Sequence, residues 1–265
     1  TYTVGGAAAD DYVLTASKLD EANGITAYDA SLALQHDAGL IVLSGHAASA
    51  ADVNRSGAIT SMDAFHILQK SVDLIGLPFP GAGVVWSFAP PSRSYANLSS
   101  NQTGQDFTAV LLGDVSGNWS PGGMQNPAPP ENVLTATLSL PAVQIAAGAQ
   151  ATIPLTLSLA DGQVYGADLL ITYDADVATA IGVTRGNLTA GWGLSSNLAT
   201  PGEVRIALAG AVPLATGGEL LRLAFQATGQ PGTSTPLALA RGDLNEGNIP
   251  TIREPGVLDI VTSCY

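Results

Sequence analysis

Oxygen-bearing side chains recur with a fixed rhythm between Asp52 and Asp63. Counting Asp52 as position 1, Asp52, Asn54, Ser56, Thr60 and Asp63 fall at positions 1, 3, 5, 9 and 12, with Gly57 at position 6 and the carbonyl of Ala58 at position 7. A hard divalent cation takes about six to eight oxygens at roughly 2.3–2.6 Å. A loop wound once around it offers them from alternate residues, and glycine takes the sharp turn. The stretch is read as a Ca2+ loop, with Ile59 pinning it to a core and a helix starting after Thr60. The plainer alternative is an Asx-rich turn with an acidic helix cap, but a turn has no need of oxygens at all these positions.

The elements that must hold this loop are repeated. Ile25-Thr26-Ala27-Tyr28-Asp29 through Leu34-Gln35 aligns with Ile59-Thr60-Ser61-Met62-Asp63 through Leu68-Gln69, an offset of 34 residues, so the spacing predicts two loop-plus-helix units in tandem. The first loop is worn. Lys18 falls at position 1 and Ala22 at position 5, leaving Asp20, Asn23, Thr26 and Asp29 as candidate ligands. A cation at position 1 removes a ligand and adds a like charge, so a metal-free turn stands beside calcium here. Asp114, Ser116 and Asn118 copy the opening of such a loop but no acid follows at position 12, which leaves a third calcium site or a turn capped by Trp119.

Duplicated EF-hand-like loops ending in Asp rather than Glu, each followed by a helix with Leu-Gln near its end, resemble the dockerin module of cellulosome-type scaffolds, over about residues 18–77. The resemblance implies that loop positions 10 and 11, here Ala27 and Tyr28 and then Ser61 and Met62, help contact a protein partner; the bland reading of Tyr28 and Met62 is core packing. From Val133 onward, short apolar or alternating runs are punctuated by Asp161-Gly162, Pro201-Gly202, Gly217-Gly218 and Pro231-Gly232, the pattern of a β-sandwich or jelly roll. The Ala147-Gly148 turn, Pro154 in a strand, Gly166 through Tyr173-Asp174, and Leu220 through Phe225 resemble a cohesin, the family that binds dockerins.

The fold class expected is mainly β with a small inserted α module. Residues 1–17 and 78–125 would form a small N-terminal β-sandwich remnant, 18–77 the dockerin-like module, 126–132 a proline-rich linker and 133–262 the cohesin-like sandwich. Leu40 to Leu43 reads as a buried segment leading into a connecting helix over His46 to Ala51. A chain that begins within an alternating run looks like the tail of a β module, and an export signal is expected to have been removed already.

Composition excludes several functions. The net charge is −13, charged residues make up 12% and the lysines are Lys18 and Lys70 alone, so neutralising a phosphate backbone cannot be the main task. An acid excess favours divalent cations. No apolar run is long enough to span a membrane. No nucleophile elbow, zinc cluster or phosphate-cradling glycine loop is present, and the chain is read as noncatalytic. His36, His46 and His66 lack a metal spacing and read as structural. Aromatics are 6% and scattered, which leaves a carbohydrate-binding face as a minor alternative.

Two docking halves on one chain imply a calcium-dependent assembly protein outside a prokaryotic cell. Its partners are cohesin- or dockerin-like modules, including other copies of itself joined head to tail in a filament, with strand donation between subunits as a further link. An adaptor for foreign partners and a sugar-binding adhesin are the alternatives. Asn97, Asn101, Asn118 and Asn187 head Asn-x-Ser/Thr glycosylation triplets, and Cys264 near the end is inert or pairs between chains.

Overall fold

The computed structural model describes residue 5 and residues 8–122, 135–160 and 162–262. The expected linker at 126–132 and Cys264 lie outside the described residues. In chain order the N-terminal part contains β1 (Asp10–Leu14), α1 (Ala27–Asp37), α2 (Gly45–Ala51), α3 (Ser61–Ser71), β2 (Trp86–Ala89), β3 (Arg93–Leu98) and β4 (Thr108–Leu111). The C-terminal part contains β5 (Ala136–Ser139), β6 (Ala142–Ala146), β7 (Gln150–Leu159), β8 (Val164–Thr172), β9 (Ala178–Arg185), β10 (Gly193–Asn197), β11 (Glu203–Leu214), β12 (Gly218–Ala227), β13 (Ser234–Leu244), a short turn of helix at Asn245–Gly247, β14 (Thr251–Glu254) and β15 (Gly256–Val261).

The C-terminal strands make a sandwich of two sheets, ordered β10-β11-β8-β13-β15-β6 and β14-β5-β7-β12-β9. Its core is set by alternation. Ala167, Leu169 and Ile171 of β8 and Val204, Ile206 and Leu208 of β11 point inward and meet Leu221, Leu223 and Phe225 of the opposite sheet. Tyr173 closes one end with its ring edge against Phe225, centroids 5.1 Å apart.

Both long helices start the same way. The Thr26 N–H donates to Asp29 Oδ2 at 2.9 Å and the Thr60 N–H to Asp63 Oδ2 at 2.9 Å, so the acid three residues on satisfies the cap donor. α1 buries Ala27, Ala30 and Ala33, whose small side chains let it lie close to α3, which buries Ala64, Ile67 and Leu68. Val53, Phe79, Leu112 and Val115 complete this second core, and Ala207 and Ala209 of β11 belong to it as well. The helical unit and the sandwich therefore share a packed boundary.

Two expectations are corrected. The N-terminal strands form no sandwich: β1 pairs only with β3 and β2 only with β4, two separate two-stranded ribbons among the described residues. Leu40 to Leu43 is not a buried segment, because Val42 is 86% exposed and Leu40 58%; the chain leaves α1 through Gly39, at φ +71, and runs over the surface to α2.

Candidate docking face and metal loop

The 52–63 loop closes on its own acids. Asp52 accepts from the Ser56 N–H at 3.0 Å through Oδ1 and from the Gly57 N–H at 2.9 Å through Oδ2. Asp63 is fully buried and accepts the Asn54 N–H at 3.2 Å through Oδ1, besides the Thr60 N–H. Arg55 at φ +57 and Gly57 at φ +89 make the two left-handed steps that curl the chain. Every side chain and carbonyl at a ligand position is a hard oxygen, and Asp63 has no Lys or Arg partner among the described ion pairs. The residues present therefore fit Ca2+, which Asp52, Asn54, Ser56, the Ala58 carbonyl, Thr60 and Asp63 would hold. Ile59 packs partly buried against the helical core.

The first loop is arranged differently from its expected form. Asp20 turns away to an ion pair with Lys18 at 2.9 Å and its side chain is 80% exposed, so it does not join Thr26 and Asp29. Lys18 itself lies over the rings of Trp86 and Trp119, 5.3 and 5.1 Å from their centroids. Thr26 and Asp29 instead face the 114–119 segment, where the Ser116 N–H donates to Asp29 Oδ1 at 2.8 Å. Burial and then repulsion from Glu246 push the Asp29 carboxyl well above the usual carboxylate range.

On the sandwich, one outer sheet face is lined by small residues. The registers Gly193↔Ala209 and Ala209↔Gly166 set a row of Gly, Ala and Gly across β10, β11 and β8, and Ala207↔Asp168 sets the next rung. α1 and α3 lie on this face. A Cβ on Gly166 would stand 2.7 Å from the Tyr28 nitrogen and one on Gly193 2.8 Å from Leu68 Cδ1, so absent side chains let the helices seat. Ala27 and Tyr28 sit on the sheet; Ser61 and Met62 of the second unit do not, since Ser61 is exposed and Met62 is 54% exposed.

Polar contacts fix the seating. Buried Asp168 accepts the Ala27 N–H at 3.0 Å, at the start of α1 where a negative group suits the helix dipole. Burial raises the Asp168 carboxyl to about 6, against the opposing pull of the Arg241 charge and the Ala27 N–H. Asn197 Nδ2 donates to the Val72 carbonyl at 2.9 Å, and Arg205 pairs with Asp73 at 3.1 Å. From the turn after β13, Glu246 Oε1 accepts from Thr26 Oγ1 at 2.8 Å and from Ser116 Oγ at 2.9 Å. Asn245 and Glu246 hold left-handed φ values of +46 and +61, and Asn245 Oδ1 anchors the turn by accepting from Tyr165 N and Gly166 N at 2.8 and 3.1 Å.

Remaining candidates fall elsewhere. Asn97, Asn101 and Asn187 are exposed, whereas Asn118 is half-buried beside Gly24. Thr189 of the last triplet is buried with its hydroxyl donating to the Leu220 carbonyl at 2.6 Å. His36 Nδ1 accepts the Leu43 N–H at 3.1 Å, a structural role. Trp86 and Trp192 are buried, which removes two of the three indole rings from any sugar-stacking surface. The sequence signal for the docking face was available in β8 and β11, because strands apolar or small on both faces must be covered on both.

Residues 136–246 match the model of the cohesin domain family. Among solved structures, CaCohA2 from Clostridium acetobutylicum is 22% identical with a TM-score of 0.44, covering 50% of this chain and 94% of that one. A non-cellulosomal cohesin from the archaeon Archaeoglobus fulgidus is 18% identical with a TM-score of 0.44, covering 48% and 92%. A type I cohesin-dockerin complex from Clostridium thermocellum is similar at 14% identity and a TM-score of 0.45, covering 50% and 98%. A search of curated proteins gave no match.

Proposed function

We propose that the chain is a noncatalytic, calcium-dependent assembly protein that acts outside the cell, in which the 18–77 unit is a dockerin-type module and the cohesin domain is its receptor. The observation that carries this is the seating of α1 and α3 on the outer face of β8, β10 and β11, with Asp168 buried against the α1 N-terminus. A cohesin domain fits protein docking rather than catalysis. Calcium bound to the 52–63 loop would add its binding energy to the folding of the helical unit.

In the structure the contact is made within one chain. The same surfaces can be exchanged between chains, and a module bound to the next subunit's sheet repeats head to tail into an open filament. This favours self-assembly over an adaptor for foreign partners, since the chain's own module already covers the sheet. The exposed β1–β3 ribbon, with Val13 68% exposed and each strand paired on one side only among the described residues, supports strand addition from a neighbour as a second link.

Light scattering on the full chain tests this reading. In millimolar calcium the mass should grow with protein concentration, and chelator should return it to a monomer. A concentration-independent monomer in both conditions would contradict it.

A further inference from the structure

The sequence contains two half-loops, each lacking what the other has. The 18–29 stretch carries the closing half, with Gly24, Thr26 and Asp29 at positions 7, 9 and 12, but Lys18 spoils its opening. The 113–119 stretch carries the opening half, with Asp114, Ser116 and Asn118 at positions 1, 3 and 5, but has no closing acid. The fold brings them together. Trp119, at position 6, and Gly24, at position 7, are adjacent in space although far apart in the chain: a Cβ on Gly24 would lie 3.3 Å from Trp119 N and 2.7 Å from Asn118 Oδ1.

The hydrogen bonds of the intact 52–63 loop recur across this junction. Position 5 donates to the position 1 acid in both, Ser56 to Asp52 and Asn118 to Asp114, each at 3.0 Å. Position 6 donates to the other oxygen of that acid, Gly57 at 2.9 Å and Trp119 at 3.2 Å. Position 3 donates to Oδ1 of the position 12 acid, Asn54 to Asp63 at 3.2 Å and Ser116 to Asp29 at 2.8 Å. Position 9 donates to Oδ2 of that acid at 2.9 Å in both, from Thr60 and from Thr26. Position 4 is left-handed in both, Arg55 at φ +57 and Gly117 at φ +74.

Observations apart from this likeness call for a cation. Asn23 Oδ1, in the residue before Gly24, is shut off from solvent and has no hydrogen-bond partner. Asp29, Asp114 and Glu246 are all at least nine-tenths buried, yet none forms an ion pair among the described residues. The Thr26 hydroxyl stands 2.9 Å from Asp29 Oδ2 and 2.8 Å from Glu246 Oε1, but its single proton can serve only one of these carboxylates. Positive charge is missing where negative charge has been gathered.

We propose that residues 24–29 and 114–119 form one split Ca2+ site, held by Asp114, Ser116, Asn118, the Gly24 carbonyl, Thr26 and Asp29. Like the 52–63 loop it has two carboxylates, with amide, hydroxyl and carbonyl oxygens completing the set, so neither is a cluster of three acid, His or Cys ligands among the described residues. Glu246 stands behind it on the Thr26 and Ser116 hydroxyls, linking the site to the cohesin domain. The ion would join a loop broken by about ninety residues of chain, tying the segment after β4 to the start of α1, with binding energy going into that closure.

Native mass spectrometry of the full chain in calcium counts the ions. Two per chain are expected for the unaltered protein, one for Asp114→Asn, one for Asp52→Asn and none for the double variant. One ion in the unaltered protein, lost with Asp52→Asn, would overturn the split site while leaving the assembly reading intact; no ion at all would overturn both. If Asp114→Asn does not fold, Asp52→Asn alone decides, because only the split site remains in it. Its thermal midpoint should then rise with calcium, and a midpoint indifferent to calcium overturns the proposal in favour of a shared proton.

Discussion

Replacing Gly166 with valine should unseat the helical unit while sparing the C-terminal sandwich. The new Cβ would stand 2.7 Å from Tyr28 N and 2.9 Å from both Ala27 C and Tyr28 Cα, backbone atoms that cannot rotate aside. Gly166 lies in a β-strand without a left-handed φ, so the strand itself accepts a side chain. Forcing a packed boundary apart costs about 1–3 kcal/mol, or roughly 5- to 150-fold in the docking equilibrium. Moving α1 away also strains the Ala27–Asp168 hydrogen bond, and bonds to charged groups contribute about 1.5–3 kcal/mol, though the two losses are not additive. Amide exchange followed by NMR reads this directly. The Ala27 amide should exchange faster by that factor while Leu223 and Phe225 in β12 keep their protection. Gly193→Ala is the control, since its Cβ would be crowded by the movable tip of Leu68 at 2.8 Å, with the Ala209 carbonyl at an ordinary 3.6 Å, and should cost less than about 1 kcal/mol. Unchanged Ala27 protection in Gly166→Val, with a folded sandwich, would refute the seating.

Other outcomes follow from the same geometry. Asp168 is raised from 3.8 to about 6, so the folded chain holds its proton more firmly than the unfolded one; stability should rise as pH falls from about 7 to 4, by up to about 3 kcal/mol. Arg241, Asp243 and Glu246 are the charges that act on it, and Asp168→Asn, which keeps an acceptor for Ala27, should flatten the denaturation profile between those pH values. Asp52→Ala with Asp63→Ala should abolish the calcium-dependent gain from the 52–63 loop, about 2.7 kcal/mol when calcium is a hundredfold above its dissociation constant, and assembly with it. Phe225→Ala, in the centre of the sandwich, should cost about 3–5 kcal/mol in urea unfolding. Arg205→Ala, by contrast, removes two half-exposed ion pairs, to Asp73 and Glu203, and should change stability by no more than about 1 kcal/mol.

The parts legible in the sequence were those set by local spacing. The rhythm of Asp52 to Asp63 and its repeat 34 residues earlier marked where both long helices start, and the turn pairs after Val133 marked the punctuation of the sandwich; that the acids at 29 and 63 close capping boxes is seen only in the structure. Leu40 to Leu43 misled because a short apolar run carries no statement of what covers it, and here little does. The N-terminal ribbons misled because alternation announces strands but not their partners. What spacing could not reveal is contact across the chain. Glycine at 166 and alanine at 207 and 209 mark a face that must be approached closely, but only the fold shows that α1 approaches it. Asp114 looked like an opening without a closing acid because that acid, Asp29, lies 85 residues earlier (114 − 29) and arrives only when the chain folds.

The most direct test of docking between subunits is to mix two variants of the full chain that each lack one half. Gly166→Val keeps the helical module but has a blocked sheet; Asp52→Ala with Asp63→Ala keeps the sheet but has a disabled module. Each alone should be a monomer in calcium by light scattering. Their equimolar mixture should give a one-to-one dimer that grows no further and falls apart in chelator. A mixture that stays monomeric at every concentration would confine the contact to a single chain and contradict the assembly account.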